Sequence, residues 1–260
     1  KKLNIASLYF YFAEIIYFKS TSKSSVKLND IEKKVLNDLK EKGIVIFPNF
    51  FDREKITKLN KNLLNKFKSS PDYFDQKSKI SRFFFKKTTP KSCIFFFNSN
   101  FIDNIAKAYC CDDVVHWQKM FETRKLGKEG PSDYYHVDEV FFHKFKAFLY
   151  LNDVDEKTAP FEFIEGSHRD RNWLNPFKNK ILRYDLLKKE KKQKRGNFFS
   201  LKAVDNIIKK NNFKRNIVTG KAGTLILFDS KGLHRATTPI KRGRNILANY
   251  FEVPRGQIYG

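Results

Sequence analysis

The chain has 260 residues and a formal net charge of +24, set by 52 Lys and Arg against 28 Asp and Glu. That length supports one sizeable core. The apolar stretches are too short and interrupted for a membrane span. Leu8–Phe18 carries Glu14 and falls short of the roughly 20 apolar residues a span needs.

Residues 1–27 read as an N-terminal extension in which Leu8–Phe18 forms a packing helix or strand. It lacks a small-residue cleavage site, so no secretory signal is expected, and the start at Lys1 rather than Met leaves open whether residues precede it. Residues 28–260 read as a single domain. Leu28–Lys42 has Ile31, Val35, Leu36 and Leu39 on one helical stripe, with Gly43 as terminator. A strand Ile44–Phe47 follows, and Asp52 caps a second helix that keeps Ile56, Leu59, Leu63 and Phe67 at helical spacing. The aromatic runs Phe83–Phe85 and Ile94–Phe97 are expected to fill core strands. Val114–Thr123 reads as a further strand, on which Gln118 and Lys119 are candidate co-substrate contacts.

That strand leads to His136-Val137-Asp138. Side chains alternate along a strand, so His136 and Asp138 point the same way. Two imidazoles and one carboxylate occupy one face of a non-haem iron(II) ion and leave the other open. The second histidine is available in His234, which follows the apolar strand Gly223–Phe228 and the turn Asp229–Gly232. Arg244 heads the next strand, Arg244–Phe251, where its guanidinium fork suits a bidentate grip on a carboxylate. Arg242 is the fallback for that role, and Thr237 is a further candidate for co-substrate binding. Between Gly166-Ser167-His168 and His234, residues 169–215 are lysine-heavy and weakly helical at Lys178–Lys188 and Leu201–Lys210. An insertion there could cover the pocket mouth as a lid.

These residues carry a family resemblance. From about Gly43 to Val253 the chain resembles the phytanoyl-CoA dioxygenase family of iron(II)- and 2-oxoglutarate-dependent oxygenases. The matching elements are Gly43–Phe51, Tyr135-His136-Val137-Asp138, Phe148–Val154, Gly166-Ser167-His168, His234 and Arg244. Thr158-Ala159-Pro160 and Tyr135 depart from the family pattern at what is expected to be the pocket rim. The resemblance implies a double-stranded β-helix, a jelly-roll barrel with N-terminal helices packed on one sheet; the many short punctuated strands support it independently. It implies iron(II) held by His136, Asp138 and His234, with 2-oxoglutarate held at its distal carboxylate by Arg244. Dioxygen is then consumed, succinate and carbon dioxide form, and a C–H bond is hydroxylated. The presence of Asp138 points to hydroxylation, because related halogenating enzymes have a small residue there.

Two rival readings stay open. The barrel is then either a catalytically degenerate binding module, or a cupin-type zinc or manganese centre with hydrolytic or isomerase chemistry. The lysine excess lacks the arginine–aromatic interleaving of a nucleic-acid platform, so nucleic acid is not an expected partner. Compositional bias and steering of a small carboxylate- or phosphate-bearing substrate both account for it, with Arg169 or Arg171 as candidate contacts. Cys93, Cys110 and Cys111 read as free thiols in a reducing cytoplasm. His116 and His143 read as structural or exposed, and His168 as a turn or pocket residue.

Overall fold

The computed structural model describes residues 24–68, 80–85, 89–110, 114–126, 133–138, 145–169 and 198–252. The expected elements at Leu8–Phe18 and Lys178–Lys188 lie outside them, as do Cys111, His143 and Arg171.

Helix α1 (Asp30–Lys42) begins in a capping box: Asn29 accepts from the Glu32 amide and Glu32 accepts from the Asn29 amide. It ends at Gly43 with φ 80°, the left-handed conformation that glycine adopts without strain. The expected stripe holds for Val35 and Leu39, but Ile31 is 68% exposed. Glu32 takes the buried place instead, because its carboxylate is occupied by the cap and by the Asn104 amide. After β1 (Ile44–Phe47), α2 (Arg53–Lys68) starts at Asp52, which accepts from the Lys55 amide at 2.8 Å. It buries Ile56, Leu59, Leu63 and Phe67 as the spacing predicts.

Strand β2 (Ile80–Phe84) contains part of the first aromatic run. The second run is not a strand. Ile94–Phe97 forms a one-turn helix, α3, with Phe96 and Phe97 buried and Ile94 and Phe95 about 40% exposed. Two adjacent buried residues suit a helix face; a strand with one covered face would alternate. Helix α4 (Asn100–Cys110) precedes the long β3 (Val115–Arg124).

The remaining elements are β4 (Tyr135–His136), β5 (Phe145–Tyr150), β6 (Phe161–Glu165), β7 (Phe198–Phe199) and α5 (Leu201–Asn211). They are followed by β8 (Lys214–Val218), β9 (Leu225–Asp229), β10 (His234–Ala236) and β11 (Arg244–Glu252). Part of the expected insertion therefore belongs to the barrel: residues 198–215 supply β7, α5 and the start of β8.

Two antiparallel sheets face one another. The larger has the order β1-β9-β5-β11-β3-β2, and the smaller β7-β4-β10-β6-β8. Alternation divides the apolar residues into three layers. Leu149, Leu227 and Leu247 face α1, α2 and α4 outside the larger sheet. Phe148, Phe161, Phe163, Phe228 and Ile246 fill the space between the sheets. Tyr135, Val137, Ile164 and Leu233 back the smaller sheet under Val204 and Ile207 of α5. This is the expected double-stranded β-helix. No helix among the described residues is long and apolar enough to cross a membrane.

Candidate metal centre

The smaller sheet brings the candidate ligands together. His136 on β4 is the direct cross-strand partner of His234 on β10, and their rings lie 4.4 Å apart. Tyr135 and Val137 point outward into the layer under α5, so His136 and Asp138 point inward. Beyond the end of β4 the Asp138 amide donates to the Ser230 carbonyl at 3.1 Å, which fixes the carboxylate's approach.

Candidate ligand atoms of His136, Asp138 and His234 all lie within 4.8 Å of one another. The Nε2 atoms stand 3.6 Å (His136) and 3.4 Å (His234) from the two Asp138 carboxylate oxygens. Bonds of about 2.1 Å at right angles place neighbouring ligand atoms about 3.0 Å apart, so the set closes on a metal by contraction, which at the two Asp138 contacts is about half an ångström. Each imidazole donates its Nδ1 proton to a backbone carbonyl at 2.8 Å, His136 to Tyr134 and His234 to Gly232. That tautomer leaves both Nε2 lone pairs for the metal. Burial and the adjacent His234 push His136 down to about 4, which keeps its ring neutral. Burial alone would raise Asp138, but Lys146 and His234 hold it well below the ordinary carboxylate range. The donor set, its tautomers and its charge fit a divalent ion.

The larger sheet contributes the charges opposite the triad. Arg244, at the head of β11, is 1% exposed. Its Nη1 donates to the Ala159 carbonyl at 3.1 Å and its Nη2 to Glu122 at 3.2 Å. Its buried Nε has no hydrogen-bond partner among the described residues. Glu122 also accepts from Arg82 at 2.7 Å and lies 3.5 Å from Arg124. Arg124 in turn donates to Asp133 at 2.5 Å. Among the described residues, the guanidiniums of Arg82, Arg124 and Arg244 thus share the carboxylates of Glu122 and Asp133. Burial pushes the Glu122 carboxyl up, but the arginines outweigh it and bring it down to about 2. A buried guanidinium with an unused donor fits the carboxylate expected there.

The other expected residues divide. Gln118 is half-buried and pairs with Tyr250, on the inner face of the larger sheet. Thr237 donates its amide to the Pro160 carbonyl at 3.1 Å, next to the Ala159 carbonyl that accepts from Arg244. Lys119 faces the helices, donating to Asn98 and lying over the Phe97 ring, because it is one residue out of step with Gln118. Arg242 is also outside, 3.4 Å from Asp155 and half-exposed. Tyr135 does not line the rim: it is buried against the outer layer, with its hydroxyl on Glu162. His168 is a turn residue. Its ring meets the Lys40 carbonyl and fills the space where a Gly43 side chain would stand. Arg169 is exposed at that turn. His116 contacts Asn249 and Asp103. Cys93 and Cys110 are free and buried, and burial raises the Cys93 thiol to about 11.

Sequence reasoning missed Lys146. It lies on the inner face of β5 with its ammonium on Asp138 and 3.7 Å from the Tyr250 ring centroid. It also missed Glu122, Arg124 and Arg82. The i, i+2 spacing of Glu122 and Arg124 was a readable sign that both share one face.

A profile of the phytanoyl-CoA dioxygenase (PhyH) family matches residues 39–240. No curated protein matches the chain significantly. Solved structures share the fold at low identity. EctD from S. alaskensis in its apo form is 16% identical, with a TM-score of 0.63 over 88% of this chain and 80% of its own. HygX from Streptomyces hygroscopicus, with nickel and 2-oxoglutarate bound, is 12% identical, with a TM-score of 0.59 over 88% of each chain. The epimerase SnoN, in complex with Fe3+, alpha ketoglutarate and nogalamycin RO, is 12% identical, with a TM-score of 0.59 over 85% of this chain and 83% of its own. With its matched span covering most of the sequence, the chain belongs to the phytanoyl-CoA dioxygenase family.

Proposed function

We propose that the protein is an iron(II)- and 2-oxoglutarate-dependent oxygenase that hydroxylates an unactivated C–H bond of a small metabolite. The observation that carries this reading is the cross-strand pair His136–His234 with the Asp138 carboxylate oxygens 3.6 and 3.4 Å from the two Nε2 atoms. Three such ligands leave three positions of an octahedral ion open on one side. Bound there, iron(II) with 2-oxoglutarate and dioxygen supplies oxidative decarboxylation to succinate and carbon dioxide, and with it the oxidising power for the C–H bond.

The chain's own residues hold, orient and keep dry. The Tyr134 and Gly232 carbonyls fix the imidazole tautomers. Asp138 fills the third ligand position, which favours hydroxylation over halide transfer. Arg244 takes the distal carboxylate of 2-oxoglutarate, using its unpartnered Nε in the arginine cluster. Thr237 stands beside Arg244 through Pro160 and Ala159, whereas Gln118, opposite Tyr250, lies towards the other end of β11. Phe161 and Phe228 pack their rings 5.7 and 5.5 Å from His234 and exclude water from one flank of the metal position.

The test is anaerobic calorimetry with iron(II), followed by 2-oxoglutarate turnover read as succinate. The wild type should bind one equivalent of metal and form succinate. Asp138→Ala, or His136→Ala with His234→Ala, should weaken the metal by more than about a hundredfold, since altering partners of metal ligands already costs 10–100-fold. Undiminished metal binding in the double histidine variant would sink the proposal.

A further inference from the structure

We propose that the Lys146 ammonium anchors a carboxylate on the substrate, so that the enzyme acts on a small carboxylic acid near its acid group. The inference rests on the oxygenase reading above. Lys146 sits in the fully buried strand β5, in register with Tyr250 on one side and Phe228 on the other. It is 6% exposed. An ammonium has three protons to donate. This one has a single carboxylate, Asp138, and one aromatic face, Tyr250, among the described residues.

Asp138 cannot serve two cations fully. A dication at the triad draws that carboxylate to itself and repels an ammonium lying against it. A buried ammonium without a counter-charge is costly, so the loaded site calls for an anion beside Lys146. The described acids nearby do not supply it. Glu122 and Asp133 are already shared among Arg82, Arg124 and Arg244. The co-substrate does not supply it either, since its two ends belong to the metal and to Arg244. Arg244 heads β11, whereas Tyr250, the partner of Lys146, stands near the strand's other end.

The surroundings suit a monoanion on a carbon skeleton. A single ammonium matches one carboxylate better than a doubly charged phosphate, which needs more donors. Beside it the Tyr250 ring stacks with Trp117, 6.5 Å away and 54% exposed, and with Phe148 at 6.2 Å. Those rings form an apolar wall leading from Lys146 to solvent. Because the ammonium touches a metal ligand, a carboxylate held on it keeps the position close to the acid group near the triad. Oxidation is expected at that position rather than at a remote methyl.

The experiment is binding calorimetry on the anaerobic protein loaded with iron(II) and 2-oxoglutarate. The probes are straight-chain, branched and aromatic monocarboxylic acids, each beside its primary amide. In the wild type the best acid should bind about tenfold or more tightly than its amide, the worth of a charge-assisted contact. Lys146→Met should reduce that preference to about unity while 2-oxoglutarate affinity stays within roughly threefold and metal affinity does not fall, since a competing cation has left Asp138. Lys146→Gln is the second neutral variant should methionine unfold the chain, and a thermal melt reports which. Three results overturn the inference: no acid above its amide in the wild type, an undiminished preference in both variants, or a loss confined to 2-oxoglutarate. A wild type that binds neither metal nor 2-oxoglutarate would instead overturn the oxygenase reading itself.

Discussion

Glu122→Gln removes one negative charge from the arginine cluster at almost constant volume, and its cost follows from the carboxyl's environment. Glu122 is 5% exposed and ionises at about 2 rather than its ordinary 4.5. At about 1.4 kcal/mol per pH unit, that difference stabilises the folded state by about 3 kcal/mol once the group is charged. The folded-state value is depressed, so the contribution is complete above about pH 4.5 and disappears as pH falls towards 2. Glu122→Gln should therefore be about 3 kcal/mol less stable than wild type at neutral pH, and the gap should narrow through the acid range. Urea unfolding in steps from neutral to about pH 3 measures it. A second arm follows from charge. The glutamine still accepts from Arg244 but no longer competes with an incoming carboxylate, so 2-oxoglutarate should bind about fivefold more tightly and recover part of the lost stability. A stability gap that is absent at neutral pH, or that does not change with pH, would refute this account of the cluster.

Arg244→Ala should weaken 2-oxoglutarate by roughly 30-fold, about 2 kcal/mol for a charge-assisted contact, and leave iron(II) affinity within about twofold; calorimetry reads both. Lys119→Ala and Arg242→Ala should leave both affinities unchanged in the same titrations, because those side chains lie outside the barrel. Gly223→Ala should cost about 3 kcal/mol or more in urea unfolding. Its φ is 97°, and a Cβ there would stand 2.1 Å from the Phe51 carbonyl oxygen, a backbone atom that cannot rotate away.

The triad was legible because strand alternation works at short range. His136 and Asp138 share a face whatever the rest of the chain does, and the strand before His234 announces itself in Leu225–Phe228. Helices α1, α2 and α5 were legible for the same reason, through the spacing of Val35 and Leu39 or of Ile56, Leu59 and Leu63. Ile94–Phe97 was not, since four consecutive apolar residues carry no period. Ile31 misled because the capping box places Glu32 on the covered side. Lys146 was hidden by its strand. Both faces of β5 are buried, so Phe145-Lys146-Ala147-Phe148 shows no polar alternation to say which face is inner. The register against Tyr250 and Phe228 is what places the ammonium beside Asp138.

The two sheets divide the work in a way their ladders explain. β11 is paired with β3 along its length and with β5 over Ile246–Tyr250, so Arg244, Glu122 and Lys146 stand on a rigid frame. Charged groups in a dry interior need that rigidity, because a small displacement would leave a guanidinium or ammonium uncompensated. β4, by contrast, joins β10 through a single residue pair, His136 with His234. The ligand atoms there rest wider than a metal requires, and a short ladder can contract at little cost. A lasting anion frame opposite a pliable metal edge is consistent with the iron being drawn into place by its ligands. The carboxylates of co-substrate and substrate, on this account, find their positive charges already fixed by the larger sheet.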